Sequence, residues 1–219
     1  MIETGIRFND IHSFYDLNLI LSSVEIPPAT PKTTYIDVPG GEGSIDLTEA
    51  HGVINYNDRS GAKFTFTVHP SERMSFEQKK TQVARALNGK HFDSIIVEKD
   101  ADYHYSGRCA VSEWQQNGRL WRIVVTATLS PYKYRNSKTV FVATLTNSPQ
   151  SFTLFNGRKR VVPSIICSNS ATLTVGGVEY NLRAGRYDDL YGACLYEGAN
   201  SVKAYGSGTI TFIYREGYL

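Results

Sequence analysis

Leu129-Ser130-Pro131-Tyr132-Lys133-Tyr134 is the stretch on which the reading of this chain turns. Before it lie a long strand-like run and, further back, a single helix pattern. After it come only short strand-like runs and turns. Pro131 has no N–H to give a β-ladder and biases Ser130 toward an extended conformation, so the strand must stop there. A break at this point in a chain of 219 residues implies two folding units, expected over residues 1–134 and 135–219.

Working back from the break, Trp121, Ile123, Val125, Ala127 and Leu129 alternate as one buried face of a strand. Asn117-Gly118 ahead of it is the dipeptide favoured by a two-residue hairpin turn. Centring the turn there sets Gln116 opposite Arg119, Gln115 opposite Leu120, and Trp114 opposite Trp121. A cross-strand aromatic pair of that kind contributes about 0.5–1 kcal/mol. The pair reads as a core or interface clamp, with a ligand-stacking pair as the functional alternative.

The helix is punctuated at both ends. Ser75 and Gln78 stand in the spacing of a capping box, and Asn88-Gly89 closes the pattern. Phe76, Val83, Ala84 and Leu87 fall on one side, away from Glu77, Lys80 and Arg85. One amphipathic helix among strands implies a helix lying across a sheet. Residues 62–68 alternate cleanly as a half-buried strand, and residues 17–21 form another. Between them, Pro27, Pro28 and Pro31 exclude both a central strand and a helix interior, leaving an extended arm that runs to Lys32. Residues 35–38 return to strand character before Pro39, Gly40, Gly41 and Gly43 mark a turn or tip that ends at Ser44. Residues 45–47 are apolar but short.

Downstream, residues 140–145, 152–155, 161–167, 171–175, 178–182 and 209–214 are expected strands. Gly176-Gly177 joins two of them as a tight hairpin, and Asn156-Gly157 and residues 197–200 read as turns. Short strands at this spacing imply a sandwich. The expected class is therefore mainly β, with a helix-bearing β-rich unit followed by a β-sandwich.

Hydrophobic residues make up 41% and charged residues 20%, enough for real cores. The formal net charge of +2 offers no broad attraction for nucleic acid or an anionic membrane. No apolar stretch approaches the roughly 20 residues of a membrane span, and the first residues lack the pattern of a secretory signal. Cys109, Cys167 and Cys194 are far apart and form no Cys-x-x-Cys, so reduced, mostly buried thiols are expected in a chain made in the cytoplasm.

Catalysis finds little support. His12, His51, His69, His91 and His104 share no metal-ligand spacing. Asp100-x-Asp102 and Asp188-Asp189 read as solvated loop carboxylates, and Arg158-Lys159-Arg160 as a solvated hairpin face. No phosphate loop, nucleophile elbow or zinc-helix motif occurs, so neither cofactor nor metal is expected. The 14 tyrosines and ten phenylalanines suit either sugar stacking or protein contacts.

An ordered set of fragments carries a more specific signal. It comprises Gly5-Ile6-Arg7-Phe8-Asn9, the proline-rich loop leading to residues 38–48, Leu87-Asn88-Gly89-Lys90, and Tyr103-His104-Tyr105-Ser106-Gly107-Arg108. Ser130-Pro131-Tyr132-Lys133-Tyr134 and the closing residues 197–202 complete it. In this order the chain resembles the distal tail proteins of phages and prophages of Gram-positive bacteria that have long non-contractile tails. The resemblance implies a tail-tube-like first domain that closes a homo-hexameric ring and a galectin-like second domain. It further implies a ring that joins the tail tube to the tip protein and to receptor-binding or baseplate proteins, with DNA passing unbound through the lumen. Such a protein is assembled in the host cytoplasm, resides in the virion tail tip, and is no enzyme. Pro27, Pro28, Pro31, Lys32, Pro39, Gly40, Gly41, Gly43 and Ser44 are then the expected contacts with ring neighbours or tube. The chain departs from common versions at Cys194-Leu195-Tyr196-Glu197, where a proline is expected before the Gly-x-Asn turn. The competing reading is a carbohydrate-binding module for host-wall sugars.

Overall fold

The computed structural model describes residues 5–50, 52–70, 72–118 and 120–219. The chain divides into two compact units, Met1–Pro131 and Tyr132–Leu219.

The first unit contains β1 (Ile6–Phe8), β2 (Ile11–His12), β3 (Leu19–Glu25), β4 (Tyr35–Asp37), β5 (Ser44–Asp46) and β6 (Arg59–Val68). Helix α1 (Phe76–Leu87), β7 (His91–Val97), β8 (Tyr103–Asn117) and β9 (Leu120–Leu129) follow. An antiparallel sheet runs β2-β1-β7-β8-β9-β6-β3. Its inner face, with Phe8, Leu19, Phe64, Phe66, Ile95, Ile123, Val125 and Leu129, shares one core with Val83 and Leu87 of α1.

The helix forms where its punctuation places it. The Ser75 hydroxyl accepts from Gln78 N–H at 3.3 Å while Gln78 Oε1 accepts from Ser75 N–H at 2.9 Å, a complete capping box. At the other end Gly89 takes φ +71°, its N–H donating to Cys109 O at 2.8 Å, and Val111 N–H donates to Asn88 Oδ1 at 3.0 Å. The helix C-terminus is thereby stitched to β8. Its inward stripe holds a charge among the apolar residues: Lys79 is 1% exposed beside Val83 and Leu87.

The tryptophan register differs from expectation. Trp114 stands opposite Ile123, and Trp121 opposite Gln116. Asn117 pairs with Leu120, so the turn begins at Gly118 (φ +59°), and the expected partner Arg119 lies outside the described residues. The whole ladder sets this register, with Gly107 opposite Leu129, Cys109 opposite Ala127 and a bulge between Val111 and Glu113. Burying those far pairs outweighs the local preference of Asn-Gly. The two indoles remain on one face as diagonal neighbours, packed against the core, and Trp121 meets Phe76 of α1 edge-on at 5.5 Å.

The second unit is a sandwich of the galectin-like kind. Its strands are β10 (Lys133–Arg135), β11 (Thr139–Thr144), β12 (Gln150–Asn156), β13 (Ser164–Cys167) and β14 (Ala171–Val175). Then come β15 (Val178–Leu182), β16 (Gly185–Tyr187), β17 (Gly198–Gly206), β18 (Thr209–Tyr214) and β19 (Gly217–Tyr218). Two four-stranded sheets, β11-β18-β13-β16 and β12-β17-β14-β15, close over Leu154, Ile165, Leu173, Val202, Ile210 and Phe212. Gly176-Gly177 makes the expected hairpin with φ +59° and +83°. Residues 198–200, expected as a turn, instead open β17, the central strand that pairs with both β12 and β14.

Candidate assembly surface

The arm lies between β3 and β6. Its base is clamped by buried Arg59, whose Nη1 donates to Pro27 O at 2.8 Å and whose Nε donates to Pro131 O at 3.0 Å. A narrow stem follows. Asn57 N–H donates to Thr30 O at 2.8 Å, Pro31 bridges to Tyr56, and Lys32 N–H donates to Asn55 O at 2.8 Å. Pro27, Pro28, Pro31 and Lys32 thus rise along one side of a two-stranded stalk, and Pro31 loses no ladder bond because it sits at an exposed edge.

At the end of the stalk β4 and β5 form a hairpin. Tyr35 faces Asp46, Ile36 faces Ile45, and Asp37 faces Ser44. Leu47 N–H extends the ladder to Thr34 O at 2.8 Å. Val38-Pro39-Gly40-Gly41 makes a type II turn, closed by Gly41 N–H to Val38 O at 3.0 Å, with Gly40 at φ +81° in the position that requires a positive angle. Gly43 (φ +80°) returns the chain to Ser44. The sequence-predicted tip residues therefore fall together, at the far end of one continuous arm.

The alternation of side chains sorts this hairpin by face. Ile36, Val38, Ile45 and Leu47 share one side, and Tyr35, Asp37, Ser44 and Asp46 the other. All four apolar residues are open to solvent, at 51%, 43%, 53% and 37%. Every residue from 31 to 47 is exposed. On the polar side, Thr48 bonds Asp46 through both its side chain and its N–H, the latter donating at 2.8 Å, and holds the Asp46 carboxyl below its usual range. The apolar stripe went unrecognised at the sequence level, although Ile36-x-Val38 and Ile45-x-Leu47 flanking a proline-glycine turn carried its signal.

The other charged motifs are engaged internally. Arg158 pairs with Glu197 at 2.6 Å, and Lys159 stands over the Tyr134 ring at 4.9 Å, so the basic run is not an open phosphate cradle. Asp188 accepts from Ser164 and Arg186 at 2.6 and 2.7 Å, and those bonds lower its pKa. His12 is buried, its Nε2 2.8 Å from Glu98 Oε1 and its Nδ1 accepting from Phe14 and Tyr15 N–H at 3.1 and 3.2 Å. His51 lies outside the described residues. Among the described residues no three of His, Cys, Asp and Glu converge as a metal site, and no helix is long and apolar enough to cross a membrane. Burial raises the thiol pKa of all three cysteines, that of Cys109 to about 12.

A helix-bearing β-rich domain followed by a β-sandwich is a fold that this chain shares with a solved structure. The solved structure that carries this statement is the Dit protein (gp 19.1) of SPP1, described as a paradigm of the hub adsorption apparatus in phages that infect Gram-positive bacteria. It matches with a TM-score of 0.67 over 97% of this chain and 98% of its own, at 12% identity. No protein-family profile and no curated protein matches this sequence.

Proposed function

We propose that this chain is a non-enzymatic hub of a phage tail. Six copies close a ring through the first domain, taken as residues 1–134, while the second domain, residues 135–219, projects from it. The ring joins the tail tube to the tip protein and to receptor-binding or baseplate proteins, and DNA passes through its lumen unbound. The protein resides at the tail tip and is assembled in the host cytoplasm. The observation that carries this reading is the end-to-end agreement of both domains, in the same order, with an adsorption-hub protein. Fold alone does not assign function; the arm adds an independent reason, since it leaves the body of its domain and buries none of its tip. Pro27, Pro28, Pro31 and Lys32 on the stalk, and Pro39, Gly40, Gly41, Gly43 and Ser44 at the tip, are the contacts with ring neighbours or tube.

The test is electron microscopy of the purified chain together with its mass in solution. Six-fold rings are expected, and deletion of residues 40–43 is expected to impair ring closure or docking to the tube. A chain that stays single at high concentration and is absent from virions refutes the proposal.

A further inference from the structure

We infer that β11, at the edge of the second domain, takes up an extended, uncharged strand of a different protein as an addition to its four-stranded sheet. This rests on the hub reading above and names how that domain would hold a partner. Among the described residues β11 pairs with β18 alone, in six consecutive positions without a bulge. Leu145 N–H donates to Gly208 O across the same ladder at 2.8 Å, and Ser168 N–H donates to Thr209 O on the far side of β18 at 3.0 Å. By the alternation of an antiparallel pair, Thr139, Phe141 and Ala143 turn their backbone groups toward β18. The N–H and C=O groups of Val140, Val142 and Thr144 therefore point away from the sheet. The side chains of Val140 and Val142 beside them are 57% and 59% exposed.

Edge strands are ordinarily blunted by a charge, a proline, a bulge or sheer shortness, because an open row of donors and acceptors recruits other strands. Two edges of this sandwich follow that rule: β15 carries Glu179, and β16 has three residues with Arg186 among them. β11 has none of these devices. Residues 139–156 hold no Asp, Glu, Lys, Arg or His. The edge strand β12, which meets β11 across the core through Phe141 and Phe152 at 5.7 Å, is therefore uncharged as well. This side of the sandwich is left ready for main-chain pairing. Its surroundings specify the occupant. A strand laid on β11 sets alternate side chains beside Val140 and Val142 and the others beside half-buried Phe141, where a charge would lose water without gaining a partner. β-Branched and aromatic residues suit both rows. A second β11 would pair antiparallel only about a two-fold axis, which neighbours in a six-fold ring do not share, so the strand comes from a different chain.

The test offers the full chain a fluorescein-labelled peptide copying residues 209–214, the sequence that β11 already pairs with through its other edge. Fluorescence anisotropy should show binding, and amide exchange should slow at Val140, Val142 and Thr144. Val142→Pro removes an outward N–H that β18 does not use, and Val142→Lys adds the missing charge. Because Val142 is exposed, the lysine variant should keep the circular-dichroism melt of the wild type. Both variants should bind the peptide at least tenfold more weakly. A peptide that binds them as well as it binds the wild type, or that does not bind at all, overturns this inference and leaves the hub standing wherever rings form. Amides of Val140, Val142 and Thr144 that exchange slowly in the chain alone mark a second copy on the edge and overturn it too. A chain that takes the peptide as expected but never forms rings overturns the hub reading and leaves the edge site.

Discussion

Replacing Lys79 by Met tests how the helix of the first domain is held. Lys79 Nζ donates to Leu17 O at 2.7 Å and to Gln82 Oε1 at 2.8 Å, and it contacts the Glu72 carboxylate. Burial pushes the Glu72 pKa up. Bonds from Lys79, Met74 N–H and Arg73 N–H, together with the Lys79 charge, outweigh that and hold it at about 2 against 4.5. A shift of that size corresponds to about 3 kcal/mol for all these contacts together, and losing a hydrogen bond to a charged partner costs about 2 kcal/mol. Met retains the apolar stem but leaves Glu72 with the Arg73 and Met74 N–H groups and a long bond from Asn18 Nδ2 at 3.4 Å. Since the folded pKa is depressed, the stabilisation is complete above the unfolded value of 4.5 and is lost as pH falls toward 2. The variant should therefore be about 2 kcal/mol less stable at neutral pH, with the gap narrowing steadily below 4.5. Both tryptophans of the chain lie in the first domain, so urea unfolding followed by tryptophan fluorescence reads this unit selectively. A gap under about 0.5 kcal/mol, or one independent of pH, would refute the argument, because the pair would then contribute no more than a surface ion pair.

Two further outcomes follow from close packing and burial. A Cβ added at Gly107 would lie 2.3 Å from Thr128 O and 2.9 Å from Leu129 Cα, both backbone atoms of the facing strand. Gly107→Ala should therefore cost about 3 kcal/mol or more in a thermal melt of the first domain, and a loss below 1 kcal/mol would mean the strands part easily. Cys109 and Cys167 are buried and Cys194 half-buried, so a thiol reagent at mildly alkaline pH should label Cys194 first, with Cys109 labelled only on unfolding. Early labelling of Cys109, read by peptide mass, would contradict that order.

What could be read from the chain divides by the range of the interaction. Ser75, Gln78 and Gly89 act within one or two turns, so the helix was visible in the sequence from end to end. The register of Trp114 and Trp121 was not, because Gly107, Cys109 and the bulge near Ser112, all well before the turn at Gly118, impose it. β17 was missed because Gly198-Ala199-Asn200-Ser201 begins it with turn-forming residues, and only pairing on both flanks makes it a strand. Nothing in the local sequence marks Lys79 as buried. Its carbonyl partner at Leu17 lies 62 positions away, beyond the reach of any local pattern. The arm was legible as an excursion from its prolines and glycines, whereas the oily side of its hairpin needed the observed pairing of Ile36 with Ile45.

The second domain begins and finishes at one place. Lys133 of β10 pairs with Tyr218 of β19 and Tyr134 with Gly217, and Glu216 beside them takes hydrogen bonds from Thr139 and Tyr218. Entry and exit of the polypeptide are therefore adjacent, the arrangement in which a module can be excised, swapped or inserted elsewhere with little disturbance to its host. Such a module offers recombination a single seam at which to cut.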